Sequence, residues 1–153
     1  MITKNISIIF PSILVLALSI LSGCGISDDE LTIRNNIEQM REAIRQHEGE
    51  KFMSFIDETY KSPFHRDKKS VRKFVKYHLN RNRVIYIYIA DINVEINNNI
   101  AKVTFYSGIT GGADQVPERG RLYKVGMHWL KTNNHWRVTQ TKWRPAIVLK
   151  KKS

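Results

Sequence analysis

Two aspartates, Asp57 and Asp91, are the residues best placed to do acid–base chemistry. Asp57 falls at the end of the second predicted helix, and Asp91 falls where an alternating strand changes phase. A carboxylate set against apolar walls has a raised pKa and can act as a base. The same positions equally suit a residue that caps or solvates a helix end (Asp57) and one that sits in a β-bulge (Asp91). The five histidines, His47, His65, His78, His128 and His135, include no helical pair four apart, and no Asp or Glu completes a facial triad by spacing. Gly111 and Gly112 precede Ala113 and Asp114 in a strand connection and do not open a helix, so no phosphate cradle is expected. Neither a metal nor a cofactor is implied. Trp129, Trp136 and Trp143 lie among basic residues, a pattern that invites base or sugar stacking. Strand alternation, however, turns Trp129 and Trp136 inward, where an aromatic contributes a large apolar burial.

The lone cysteine, Cys24, rules out a disulfide framework and a Cys-based zinc site. Ahead of it run Lys4, an apolar stretch from Ile6 to Leu21, and Ser22-Gly23. A positive start, an apolar run and small residues before a cut make a secretory leader, and Pro11 and Ser12 interrupt a run already marginal for crossing about 30 Å of hydrocarbon. Leu21-Ser22-Gly23-Cys24 resembles the lipobox of bacterial lipoproteins. That resemblance implies removal of residues 1–23, acylation of Cys24, and a membrane anchor through the N-terminal lipid. With Gly25 where inner-membrane retention favours Asp, it also implies the outer membrane, facing the periplasm. Nucleic acid is scarce in that compartment, so it is not an expected partner.

Setting aside the leader leaves 130 of the 153 residues, enough for one domain. A domain of that size buries roughly two-thirds of its unfolded surface and needs no covalent staple. Hydrophobic and charged shares of 42% and 25% are ordinary globular values. The net charge of +11 points to an anionic partner or surface, although the excess accompanies many Asn and Ile, as an AT-rich gene would give. Gly25–Ser27 form a tether, after which Asp28 or Asp29 offers an N-cap. Ile33, Ile37, Met40, Ile44 and His47 make a helical stripe, ended by Gly49. A second helix carries Phe52, Phe55 and Ile56 inward and ends near Ser62-Pro63. Asp67 caps a third, with Val71, Phe74, Val75, His78 and Leu79 on one face.

From Val84 the period becomes 2. Ile85, Ile87 and Ile89 give way, one residue out of phase, to Ile92, Val94 and Ile96, which predicts a bulge at Ala90-Asp91. Asn97–Asn99 make a turn into a second strand, and two more follow, Leu122–Lys131 and Trp136–Trp143, joined at Asn133-Asn134. Residues 146–153 form a basic tail ending in Lys150-Lys151-Lys152.

Three helices followed by a bent antiparallel meander form an α+β plan. That order, carried by Ile33–Ile44, Phe52–Tyr60, the hairpin Ile92–Phe105 and the closing Trp136-Arg137-Val138 to Trp143-Arg144, resembles the NTF2-like superfamily over residues 28–145. The superfamily includes nuclear transport factor 2, ketosteroid isomerase and polyketide-cyclase-like proteins. The resemblance implies a cone, with three N-terminal helices packed on one face of the sheet and a pocket between them. Lining that pocket would be Val103, Phe105, Ser107, Met127, Trp129, Trp136 and Val138, none of them a carboxylate. The reading is of a non-catalytic module that holds an apolar ligand or a partner protein of the envelope. The alternative is an isomerase, cyclase or dehydratase with Asp57 or Asp91 as its acid–base residue. On the opposite sheet face, alternation places Tyr86, Tyr88, Tyr106, His128 and Trp143 among Lys102 and Lys124. Aromatics of that kind suit a docking surface, and relatives of this fold imply a homodimer there.

Overall fold

A computed structural model describes residues 26–112 and 121–147. The leader, Cys24, the segment 113–120 and the Lys150–Lys152 tail lie outside the described residues. Three helices, α1 (Asp28–Arg45), α2 (Gly49–Ser54) and α3 (Lys68–Arg81), precede four strands, β1 (Val84–Asn97), β2 (Ile100–Gly112), β3 (Arg121–Thr132) and β4 (His135–Ile147). The strands form one antiparallel meander in the order β1-β2-β3-β4, and the helices cover one of its faces in the three-helix, bent-sheet plan expected from the sequence. Among the described residues no helix is long and apolar enough to cross a membrane.

Ser27 caps α1, accepting from the Glu30 amide at 3.2 Å, and the expected cap residues Asp28 and Asp29 sit inside the first turn. There their charges face the positive end of the helix dipole. The buried stripe of α1 is Ile33, Ile37, Met40 and Ala43. His47 leaves it: its φ of 61° ends the helical turn, and its Nε2 reaches the Asn82 carbonyl at 2.8 Å. The break therefore falls at His47, and Gly49 opens α2. A Cβ at Gly49 would lie 3.3 Å from Leu79 Cδ1, so glycine allows α2 to approach α3 closely. α2 stops at Ser54, well before Pro63, because the following backbone finds strand partners instead. Val138 N donates to Phe55 O at 2.8 Å, Asp57 N to Val138 O at 2.9 Å and Lys61 N to Thr139 O at 3.0 Å. Those bonds satisfy part of the free edge of β4. Asp67 caps α3 in a reciprocal box with Ser70.

The expected bulge interrupts the β1–β2 ladder between Ala90 and Asn93, with Asp91 at φ 55°. Asn133 and Asn134, at φ 49° and 63°, turn β3 into β4 in the two-residue form that matches strand twist. A second register shift lies in β4, where Trp129 faces Val138 but His128 faces Gln140, so Thr139 is the extra residue. Trp129, Trp136, Val103, Val138, Ala101 and Ile33 are essentially inaccessible to solvent. Burying an aliphatic or aromatic side chain contributes about 1.5–3 kcal/mol. Every buried side chain among the described residues lies between Ile33 and Val138. A chain beginning at Gly25 thus contains this whole core.

Candidate functional site

One end of the cone is packed inside and carries only a polar surface cleft of about 260 Å³, between Thr32 and Asn36 of α1 and the Asn134–Arg137 stretch. The turns at Asn98-Asn99 and Asn133-Asn134 bring Trp129 and Trp136 together beneath the first turns of α1, and their bulk fills the space. The other end is open and holds a cavity of about 470 Å³, within the range of small-molecule sites. Ile44 of α1 and Phe52 of α2 form one wall. α3 contributes Phe74, Val75, His78 and Leu79, and its cap residue Asn82 closes that side. The sheet supplies Ile85 and Ile87, Ile109 and Thr110, Tyr123 and Val125, and Trp143.

The seven residues expected to line the pocket do not line this cavity. Val103, Phe105, Ser107, Trp129, Trp136 and Val138 are buried core, and Met127 packs half-buried against it. They form the packed body beneath the cavity, because the two tryptophans occupy the narrow end. Trp143 is also displaced from the expected outer face. Thr139 adds one residue to β4 between Val138 and Gln140, which reverses the alternation, so Trp143 faces Val125 and turns inward. There its ring stacks on Phe64 with centroids 4.0 Å apart. The remaining outer-face residues are where alternation puts them. Tyr86, Tyr88 and His128 are exposed, and Tyr106 is half-buried beneath the Lys124 ammonium, 5.8 Å from its ring centroid.

The cavity's polar groups are few. The His78 ring packs against Phe74 at 4.4 Å and edge-on to Tyr77 at 5.2 Å. Asn82 donates its side-chain amide to the His78 carbonyl at 2.8 Å. Thr110 has a buried hydroxyl with no partner among the described residues. His78 was legible only as the end of an apolar helix face; Asn82, Thr110 and Tyr123 carried no sequence signal, since strand ends and helix caps place them.

Neither aspartate lines the cavity. Asp57 is half-buried beside β4, and its Oδ1 accepts from the Thr59 amide at 2.9 Å and the Thr59 hydroxyl at 2.6 Å. Burial pushes its carboxyl up, but the two Thr59 bonds, with Arg137 and Lys68 nearby, outweigh that and hold it below the ordinary carboxylate value. A general base working near neutrality needs the opposite shift. Asp91 is exposed in the bulge. Among the described residues no three His, Cys, Asp or Glu side chains gather where they could hold a metal ion.

No protein-family model matches the sequence, and no curated protein matches it. Solved structures do resemble the fold. A member of the NTF2-like family from Streptomyces avermitilis superposes with a TM-score of 0.70 at 15% identity, covering 78% of this chain and 97% of that one. A hexachlorocyclohexane dehydrochlorinase from Novosphingobium barchaimii gives 0.64 at 8% identity, over 79% and 88% of the two chains. A Bdellovibrio bacteriovorus protein gives 0.67 at 17% identity; 76% of this chain is covered, and it spans only 40% of that protein. At such identities the likeness is one of fold alone.

Proposed function

The chain has the NTF2-like fold, and from that premise we propose that it is a non-catalytic binding module, tethered to the bacterial envelope by an acylated Cys24, that holds an apolar ligand in its open-ended cavity. The observation that carries this reading is the composition of the cavity wall. Branched aliphatic and aromatic side chains make up most of it, and no carboxylate lines it. A wall of this kind favours a ligand by the apolar area removed from water, with the few polar groups fixing orientation. The isomerase-like alternative lacks its base at the site, since Asp57 and Asp91 both lie elsewhere.

The test is a titration of the chain beginning at Gly25 with N-phenyl-1-naphthylamine, a neutral apolar fluorophore. Binding should raise the probe's emission and quench Trp143, and Ile44→Trp, which fills the cavity, should abolish both effects while the far-UV spectrum stays unchanged. Trp143→Phe should remove the quenching and weaken binding about two- to tenfold, the worth of one aromatic contact. Probe binding that survives Ile44→Trp would sink the reading, as would turnover of any added substrate that depends on Asp57. The anchor is tested separately: Cys24→Ser should lose lipid label and membrane retention, and unchanged retention would refute it.

A further inference from the structure

The rim of the cavity carries a continuous ribbon of rings. Phe64 stacks on Trp143 at 4.0 Å, His65 lies 6.0 Å from Trp143 and 4.8 Å from Phe74, Phe74 lies 4.4 Å from His78, and His78 meets Tyr77 at 5.2 Å. The Arg81 guanidinium closes the series, 5.3 Å above the Tyr77 ring and bonded to its hydroxyl at 2.8 Å. Three of these rings face water: Phe64 is 50% exposed, Phe74 43% and Tyr77 53%. Ile109, also on the rim, is 43% exposed. Single exposed apolar groups mean little, but a contiguous set marks a contact surface.

The charge around this ribbon is one-sided. Between Asp67 and Asp91 the chain carries seven Lys and Arg and no Asp or Glu. Lys68 pairs with Glu58 and Arg72 with Glu50. The other five, Lys69, Lys73, Lys76, Arg81 and Arg83, make no carboxylate ion pair among the described residues. At helical spacing Lys73, Tyr77 and Arg81 form one row beside Phe74, with Lys69 one turn before Lys73 in the same row, whereas Lys76 lies on the side of α3 away from Phe74. We propose that this rim docks on an anionic phospholipid bilayer, with Phe64, Phe74 and Tyr77 at headgroup depth and Lys73 and Arg81 against the lipid phosphates.

Aromatic rings flanked by uncompensated cations are the composition of an interfacial surface. A second copy of the chain fits worse. A two-fold pairing through the ribbon would bring two basic patches of the same sign together, whereas an anionic surface complements them. The docking adds to any N-terminal lipid and is independent of it, and it opens the cavity toward the bilayer. Only the consequence that an apolar ligand exchanges directly with the membrane rests on the function proposed above.

The experiment is co-sedimentation of the chain beginning at Gly25 with vesicles of phosphatidylcholine alone and of phosphatidylcholine with phosphatidylglycerol. Binding should require phosphatidylglycerol and weaken with salt. Lys73→Gln and Arg81→Gln should each weaken it about fivefold, and Phe64→Ser and Tyr77→Ser should weaken it on the same vesicles. Lys76→Gln, on the side of α3 away from Phe74, and Lys102→Gln, on the outer sheet face, remove the same charge elsewhere and should cost less. Equal loss from both pairs would reduce the effect to net charge and overturn the proposal. So would binding to phosphatidylcholine alone at the same strength, or self-association in sedimentation velocity with no vesicle binding. Far-UV spectra and naphthylamine binding report whether each variant is folded, independently of the vesicles.

Discussion

Asp29 accepts a hydrogen bond from the indole of Trp136, Nε1 to Oδ1 at 2.9 Å, across more than a hundred residues of sequence. The same oxygen accepts from Lys131 Nζ at 2.7 Å. One carboxylate therefore ties the first turn of α1 to the β3–β4 hairpin at the closed end of the cone. A buried indole N–H usually finds a partner; for Trp136 it is a charge that also suits the helix N-terminus, whereas the indole N–H of Trp129 has none among the described residues.

That arrangement predicts an acid-sensitive component of stability. The bond from Lys131, then that from Trp136, outweigh burial and hold the Asp29 carboxyl below its ordinary value. A lowered folded-state pKa gives stability that is present above the unfolded value of about 3.9 and lost as pH falls through the folded one. Asp29→Asn should thus unfold at lower urea than the parent near neutral pH, and the two midpoints should converge well below pH 4. A constant gap across that range would show that the charge on Asp29 contributes nothing.

How far the sequence discloses this architecture depends on whether the apolar pattern itself records each irregularity. In β1 the isoleucines change phase between Ile89 and Ile92, so the bulge at Asp91 is visible without a structure. In β4 the extra residue that reverses the phase ahead of Trp143 is Thr139, within Thr139-Gln140-Thr141-Lys142. No apolar side chain there marks the phase, and Trp143 is consequently read onto the wrong face. The cavity was hidden for a related reason. Alternation identifies inward residues such as Val103, Trp129 and Trp136 but not the depth at which they sit, and two tryptophans at one end leave the open volume at the other. The segment after Ser54 pairs with β4 through backbone groups alone, which side-chain periodicity cannot report.

Asp91 occupies its bulge for a conformational reason, and that can be separated from chemistry. At φ 55° an Asp is tolerated, a Gly is at ease, and a β-branched residue is strained. Asp91→Gly should be neutral or slightly stabilising, whereas Asp91→Val should cost about 1–2 kcal/mol. Asp91→Asn should keep both stability and naphthylamine affinity, and so should Asp57→Asn as far as affinity is concerned. The measurements are urea midpoints and probe titrations. A loss of affinity in a folded Asp57→Asn or Asp91→Asn chain would return the acid–base reading to consideration.

His65 gives the rim its own pH dependence. The loop that carries it is closed by Ser62, whose amide donates to the His65 carbonyl at 2.8 Å and whose hydroxyl accepts from the His65 amide at 3.0 Å. The ring thereby lies between Phe74 and Trp143, and its buried Nε2 has no partner among the described residues. Burial pushes its pKa below the ordinary imidazole value, because a proton there would place an unpaired charge among apolar rings. A folded pKa lowered in this way means that the unfolded chain takes up the proton first as pH falls. Stability is then full above about 6.5 and declines as pH drops from there toward the lower folded value. The urea midpoint of the chain beginning at Gly25 should fall between about pH 8 and pH 5, and His65→Phe, which keeps an aromatic ring but cannot be protonated, should flatten that fall. The same variant should retain naphthylamine binding at both pH values, since His65 packs behind the lining and not in it. An unchanged slope in His65→Phe would assign the pH response to another histidine and leave the ring between Phe74 and Trp143 with a packing role only.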